Sequence, residues 1–167
     1  LKLEQLIGKI EVVHWFADWT AEFDAGRLQN VKQHGAIPMI TWEPWHWDGG
    51  NNQPDFQLSR IAAGEYDEYI RSWARGSKAF KRRVYLRFAH EMNYGRYPWA
   101  VGVNGNTGAD YIAAWNRVYD IFVEEKAWNV SLVWSPGIEY EGTTPYEDAY
   151  PGAERVDMVG LSGYNGG

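Results

Sequence analysis

The sequence predicts an α/β domain built on a parallel sheet. Three observations carry that reading. Five short β-rich runs recur along the chain, and most are continuously apolar rather than alternating, as strands are when helices cover their sheet. Amphipathic segments at helical spacing lie between them. Polar and aromatic residues gather just after the runs, at the carboxyl ends where parallel α/β folds build their sites.

The runs are "IEVVHWF" from Ile10, "AIPMITW" from Ala36, "RVYLRFA" from Arg83, "VSLVW" from Val130 and "VDMVGL" from Val156. After the first, Thr20 is placed to cap a helix through Phe23, Leu28 and Val31 that stops at His34-Gly35. A second helix, from about Glu65 to Phe80, sets Tyr66, Tyr69, Ile70 and Trp73 on one face. A third brings Tyr111, Ile112, Trp115, Val118, Tyr119 and Phe122 to helical intervals, and Thr107 with Asp110 three residues later forms a reciprocal cap at its start. No repeat, low-complexity tract or linker divides residues 1–167, so they read as one domain. Both an open doubly wound sheet and a closed (β/α)8 barrel fit this order. A complete barrel needs roughly 250 residues, so the barrel reading requires further strands. The start at Leu1 and the end at "GYNGG" accord with a fragment.

Composition narrows the function. Sixteen basic against 22 acidic residues give a net charge of −6, which argues against nucleic acid and anionic membranes as partners. No run is apolar enough to span a bilayer, and no cationic start with an apolar stretch reads as a signal peptide. Without Cys there is no disulfide, thiolate ligand or Cys nucleophile. The chain carries 10 Trp and 11 Tyr, many beside polar residues or Pro in "ITWEPWHWDGG", "NYGRYPWAVG" and "EYEGTTPYEDAYPG". Flat rings flanked by donors and acceptors suit a sugar, although any single Trp could equally cap a core.

The stretch "RFAHEMNYGRYPW" holds the strongest site candidate, Glu91, which follows its strand directly with His90 and Asn93 as polar neighbours. A carboxyl there either pairs with an arginine such as Arg87 or is raised in pKa by burial to serve as a general acid. Glu43 in "TWEPW" holds a comparable place after the second run, with Pro44 fixing the backbone behind it, and is read as site-lining. The four His show no metal spacing, and no cofactor is expected. "GVNGNTG" opens a helix but follows a loop and lacks the P-loop Lys, so it reads as a glycine-rich turn. The sequon at Asn129 starts a buried strand and is discounted, and Ser135 in "VWSPG" lacks a nucleophile elbow.

Along nearly the whole chain, "ITWEPW", "YLRFAHEMN", "YPW", "VNGNTGADYIAAWNRVYDIF", "VWSPG" and "YPGAERVDMVGLSGYN" resemble glycoside hydrolase family 26, the β-mannanases and related β-glucanases. The resemblance implies a partial (β/α)8 TIM barrel comprising about strands two to six, and a retaining endo-β-glycoside hydrolase acting on β-mannan, or alternatively on mixed-linkage β-glucan. It makes Glu91, at the end of barrel strand four, the proton donor and later the general base. It sets His90 beside the cleaved bond and Tyr164 where a tyrosine hydrogen-bonds the nucleophile. That nucleophile, a glutamate after strand seven, would lie outside this chain. Sugar contacts are expected from His90, Asn93, Trp45, Trp99, Trp134, Tyr164 and Glu43. The partner would be a β-linked polysaccharide or oligosaccharide and the location extracellular, with self-association through open barrel edges. A non-catalytic carbohydrate-binding remnant is the alternative outside enzymes. Arg96 stands where the family carries a stacking Trp, Ser162 where an aspartate is frequent, and Gly166 where a Trp is.

Overall fold

The computed structural model describes residues 4–164. A short helix α1 (Glu4–Ile7) precedes β1 (Val12–Asp18), α2 (Ala25–Gln33), β2 (Ile37–Glu43), α3 (Leu58–Ala62), α4 (Asp67–Phe80), β3 (Val84–Phe88), α5 (Gly108–Glu124), β4 (Val130–Trp134) and β5 (Met158–Val159). The five strands form one parallel sheet in sequential order, β1-β2-β3-β4-β5. Sequential order with helical crossovers between strands is the winding of a (β/α)8 barrel; a doubly wound sheet reverses its order at a switch point.

Register separates the sheet into two chemically different faces. Successive side chains point to opposite sides, and Trp15 pairs in register with Ile40, Ile40 with Leu86, and Leu86 with Leu132. With Trp42, Phe88 and Trp134 these rows are buried, on the face that the helices cover. Trp42 is wedged among Trp19, Tyr69, Trp73, Phe88 and Phe122 at ring separations of 4.9–6.4 Å. The opposite face carries the row Phe16, Thr41, Arg87 and, one step nearer the strand ends, Asp18 opposite Glu43. One face is thus an aromatic core and the other a polar lining.

The helix starts follow local chemistry. Thr107 and Asp110 form the reciprocal cap of α5, with Asp110 N donating to Thr107 Oγ1 at 3.2 Å and Thr107 N to Asp110 Oδ2 at 2.8 Å. Helix α2 begins later than its sequence predicts: Asp24 is the cap, its Oδ1 accepting from Arg27 N at 2.9 Å. Thr20 instead turns back onto Asp18, whose Oδ1 accepts from Thr20 N and Oγ1 at 3.1 and 2.7 Å. A carboxylate at the strand end outcompetes the helix for that hydroxyl. Helix α2 ends at His34, with Gly35 at φ 75°, as expected. The strand predicted from Val156 shrinks to Met158–Val159, continued by a single bridge between Gly137 and Ser162.

Candidate active site

The mouth of the sheet is built by the way the chain leaves β3. Ala89 N still donates to Trp42 O at 3.1 Å, but Ala89 and Glu91 adopt φ of 44° and 52°, left-handed values that cost a side-chain-bearing residue about 1 kcal/mol or more each. The conformation is held from both sides. Glu91 N donates to Ser135 O at 2.8 Å, and Asn93 grips Gly137, donating through Nδ2 to its carbonyl at 2.9 Å and accepting at Oδ1 from its N–H at 2.8 Å. Gly137 must be glycine, since a Cβ there would overlap the Tyr94 ring. These ties bring His90 and Glu91 to the carboxyl end of the sheet, 2% and 6% exposed.

Glu43 arrives at the same mouth from β2. Its Oε2 accepts from Trp45 Nε1 at 3.2 Å, and its Oε1 lies 3.8 Å from His90 Nδ1. Burial, reinforced by the Asp18 and Glu91 carboxylates, lifts its pKa from 4.5 to about 7, against the opposing pull of Trp45 and Arg87. Burial and the Arg87 charge together press His90 down to about 3. Between about pH 3 and pH 7 the contact is therefore between two neutral groups, and at no pH is it an ion pair of imidazolium and carboxylate. Around His90 stand Tyr97, Trp99 and Phe16, with centroids at 5.0, 5.7 and 6.1 Å.

Arg87 is the buried cation of the polar face. It donates to Thr41 Oγ1 at 3.2 Å and to Ser162 Oγ, while His14 Nε2 meets the same Thr41 hydroxyl at 2.6 Å. Burial lowers the Arg87 pKa, and Glu91, Tyr164, Tyr97 and Glu43 act against that shift. Among the described residues no ion pair ties Arg87 to Glu91, so the arginine partnership considered for Glu91 is not made.

Three residues expected to contact sugar have structural partners in this geometry. Trp99 has no exposed surface: it stacks under Tyr97 at 4.5 Å and 5°, and its Nε1 donates to His90 O at 2.7 Å, so it buttresses the mouth from behind. Trp134 lies on the helix face, 5% exposed, bonded to Ala149 O at 3.2 Å. Asn93 spends both polar atoms on Gly137. Trp45 is half-buried, edge-on to Tyr97 and Trp99 at 5.9 and 5.4 Å. Tyr164 is 88% exposed and near enough to Arg87 to influence its charge. Gly166 lies outside the described residues.

Tyr97 is half-buried, and its pKa is raised by burial and then by the charges of Glu91 and Glu43. Its place in "YPW" beside the named Trp99 was the available signal. Trp47, 67% exposed, is a further residue that the sequence reading left unnamed. Its backbone N–H donates to Asp18 Oδ2 at 3.2 Å, and buried Gln53 braces the same loop through His46 N, His46 O and Gly50 O at 2.6–2.9 Å. Trp47, Phe16, Asp18 and Glu43 line part of a cavity of about 490 Å³ beside β1.

Among the described residues no helix is long and apolar enough to cross a membrane, and no group of three or more His, Asp or Glu could hold a metal ion. Among curated proteins, Endoglucanase H of Acetivibrio thermocellus is 38% identical over 164 residues, which are 95% of this chain and 17% of that protein. Among solved structures, a modular endo-beta-1,4-mannanase from Cellulomonas fimi superposes with a TM-score of 0.75 at 16% identity, covering 97% of this chain and 43% of that one. A beta-mannanase from a symbiotic protist of the termite Reticulitermes speratus, complexed with gluco-manno-oligosaccharide, gives 0.72 at 19%, covering 96% and 57%. The chain thus spans about half of these barrels and a sixth of the endoglucanase. The family model for glycosyl hydrolase family 26 matches residues 6–166, and the chain belongs to that family.

Proposed function

We propose that this chain forms the acid/base half of a retaining endo-β-glycoside hydrolase, with Glu91 as proton donor. The observation that carries the reading is the position of Glu91: a carboxyl at the carboxyl end of β3, buried, without a salt-bridge partner among the described residues, on a backbone held in a strained conformation from both sides, by β2 and by the segment that follows β4. Strain of this kind persists where surrounding structure over-determines it, most often at functional sites. Glu91 protonates the departing glycosidic oxygen and then, as a carboxylate, draws a proton from the water that releases the glycosyl-enzyme. Neutral His90 and the Tyr97 ring contact the sugar at the cleaved bond, with Trp45 and Tyr164 further out.

The nucleophilic carboxylate comes from a part of the protein other than the described residues. Arg87 supports this: a buried guanidinium whose hydrogen-bond partners among the described residues are hydroxyls is suited to receive a carboxylate, because an unpaired buried charge is costly. β-Mannan is the first substrate. Mixed-linkage β-glucan is the second, favoured by the match to an endoglucanase over almost the whole chain. Extracellular location follows from substrates too large to enter a cell.

The test is Glu91→Gln in the intact protein, assayed on mannan, β-glucan and aryl glycosides with good leaving groups. Turnover of polysaccharide is expected to fall ~10²–10⁴-fold, the usual worth of a general acid, with formation of the glycosyl-enzyme from activated substrates largely retained. Equal loss on both classes with the fold intact would reject the role.

A further inference from the structure

The contact between Glu43 and His90 is unexplained by the acid/base reading. Both side chains are more than nine-tenths buried, at 9% and 3% exposure, and Nδ1 of His90 is a buried nitrogen without a hydrogen-bond partner. Such an orphan is uncommon and calls for a cause. Glu43 Oε1 lies 3.8 Å from it, and a shift of about 1 Å would bring the two to hydrogen-bond length.

We propose that Glu43 is a positioning residue whose carboxyl proton, carried on Oε1, is donated to Nδ1 of His90, fixing the imidazole as the tautomer whose Nε2–H is presented to the bound sugar. The geometry decides which oxygen carries the proton. Trp45 Nε1 has only a hydrogen to give, and it gives it to Oε2 at 3.2 Å, so Oε2 is the acceptor and Oε1 is left to hold the proton. The raised pKa of Glu43 keeps that proton in place up to about neutrality. The charged groups around the pair agree. Asp18 from β1 and Glu91 beyond β3 disfavour a carboxylate at Glu43, and Arg87 from β3 with His14 from β1 disfavours an imidazolium at His90; only the attraction of Arg87 for Glu43 works the other way. Above pH 7 the carboxyl loses its proton and becomes an acceptor. The imidazole proton then moves from Nε2 to Nδ1, and the sugar meets an acceptor instead of a donor. The pair is a tautomer switch at the cleavage site.

This deepens the glycosidase reading and rests on its site, but its direct test does not require turnover. In the intact protein with ¹⁵N-labelled histidine, His90 is expected to show an unprotonated Nδ1 and a protonated Nε2 at pH 6, exchanging places with a midpoint near pH 7. In Glu43→Gln the amide N–H₂ takes the place of the protonated Oε1 while its oxygen accepts from Trp45, so the pH 6 tautomer persists and the step disappears. In Glu43→Ala the preference is lost, and polysaccharide kcat falls roughly 10-fold or more with a smaller change in KM, on the scale of supporting contacts. An Nδ1–H tautomer in the wild type at pH 6, or an unchanged pH step in Glu43→Gln, overturns the proposal. The predicted tautomer and step in a protein that cleaves no glycan would uphold the Glu43–His90 coupling and overturn the glycosidase reading instead.

Discussion

At the residue scale, neighbouring aromatic residues of one short motif separate into different jobs. Tyr97 and Trp99 stack on each other, yet the first is half-buried and feels the charges of two carboxylates, and the second is fully buried. Trp99→Ala is expected to cost about 3–5 kcal/mol of folding stability in denaturant titration, as a buried aromatic truncation does. Tyr97→Ala is expected to weaken oligosaccharide binding by roughly 1 kcal/mol or more in calorimetry with little change in unfolding. The reverse pattern would exchange their roles. Glu43 also makes stability depend on pH. Its folded pKa of about 7 lies above the 4.5 of the free side chain, so its favourable share is complete below 4.5 and is lost as the pH rises through 7. Glu43→Gln cannot lose that share. The melting temperature of the variant should therefore gain on the wild type between pH 5 and pH 8, and a constant difference would show that the carboxyl is not buried as described.

At the scale of elements, the sequence disclosed what local periodicity encodes. All five strands and the three long helices were legible, as was the Thr107–Asp110 cap, because apolar spacing and capping chemistry are local. The Thr20 cap was misread because its competitor, Asp18, belongs to the end of a strand rather than to the helix. Most Trp residues proved to be core: seven of the ten are buried, three of them (Trp15, Trp42 and Trp134) because the register of their strands turns them toward the helices, the others from helices α4 and α5 and from loops. Which face a strand residue takes follows from pairing with other strands, and composition alone cannot give it. The site was legible as a motif, through His90 and Glu91, but not as a shape. The clamp of Asn93 on Gly137 joins residues 44 positions apart. It yields a prediction: Gly137→Ala drives a methyl into the Tyr94 ring, destabilises the fold by roughly 1–3 kcal/mol, and lowers activity together with stability. Full stability in that variant would mean that the two loops are not locked.

At the scale of the whole molecule, the sheet has β1 and β5 as its outer strands, and the polar face they flank carries exposed Phe16 and Met158 beside the buried Arg87. Open strand edges and apolar surface favour association between copies. The 167-residue polypeptide on its own is expected to sediment as more than a monomer and to hydrolyse neither mannan nor β-glucan, since one member of a catalytic pair alone loses several orders of magnitude in rate. A monomer with robust activity would instead make Glu43 the nucleophile candidate. The central claim, that Glu91 is the acid/base, meets its most direct test in azide rescue of Glu91→Ala in the intact protein. With an activated β-glycoside, azide should restore turnover and yield the β-glycosyl azide, because the unprotected face of the glycosyl-enzyme is the one Glu91 once served. An α-glycosyl azide would make Glu91 the nucleophile, and no rescue in a folded variant would contradict the account.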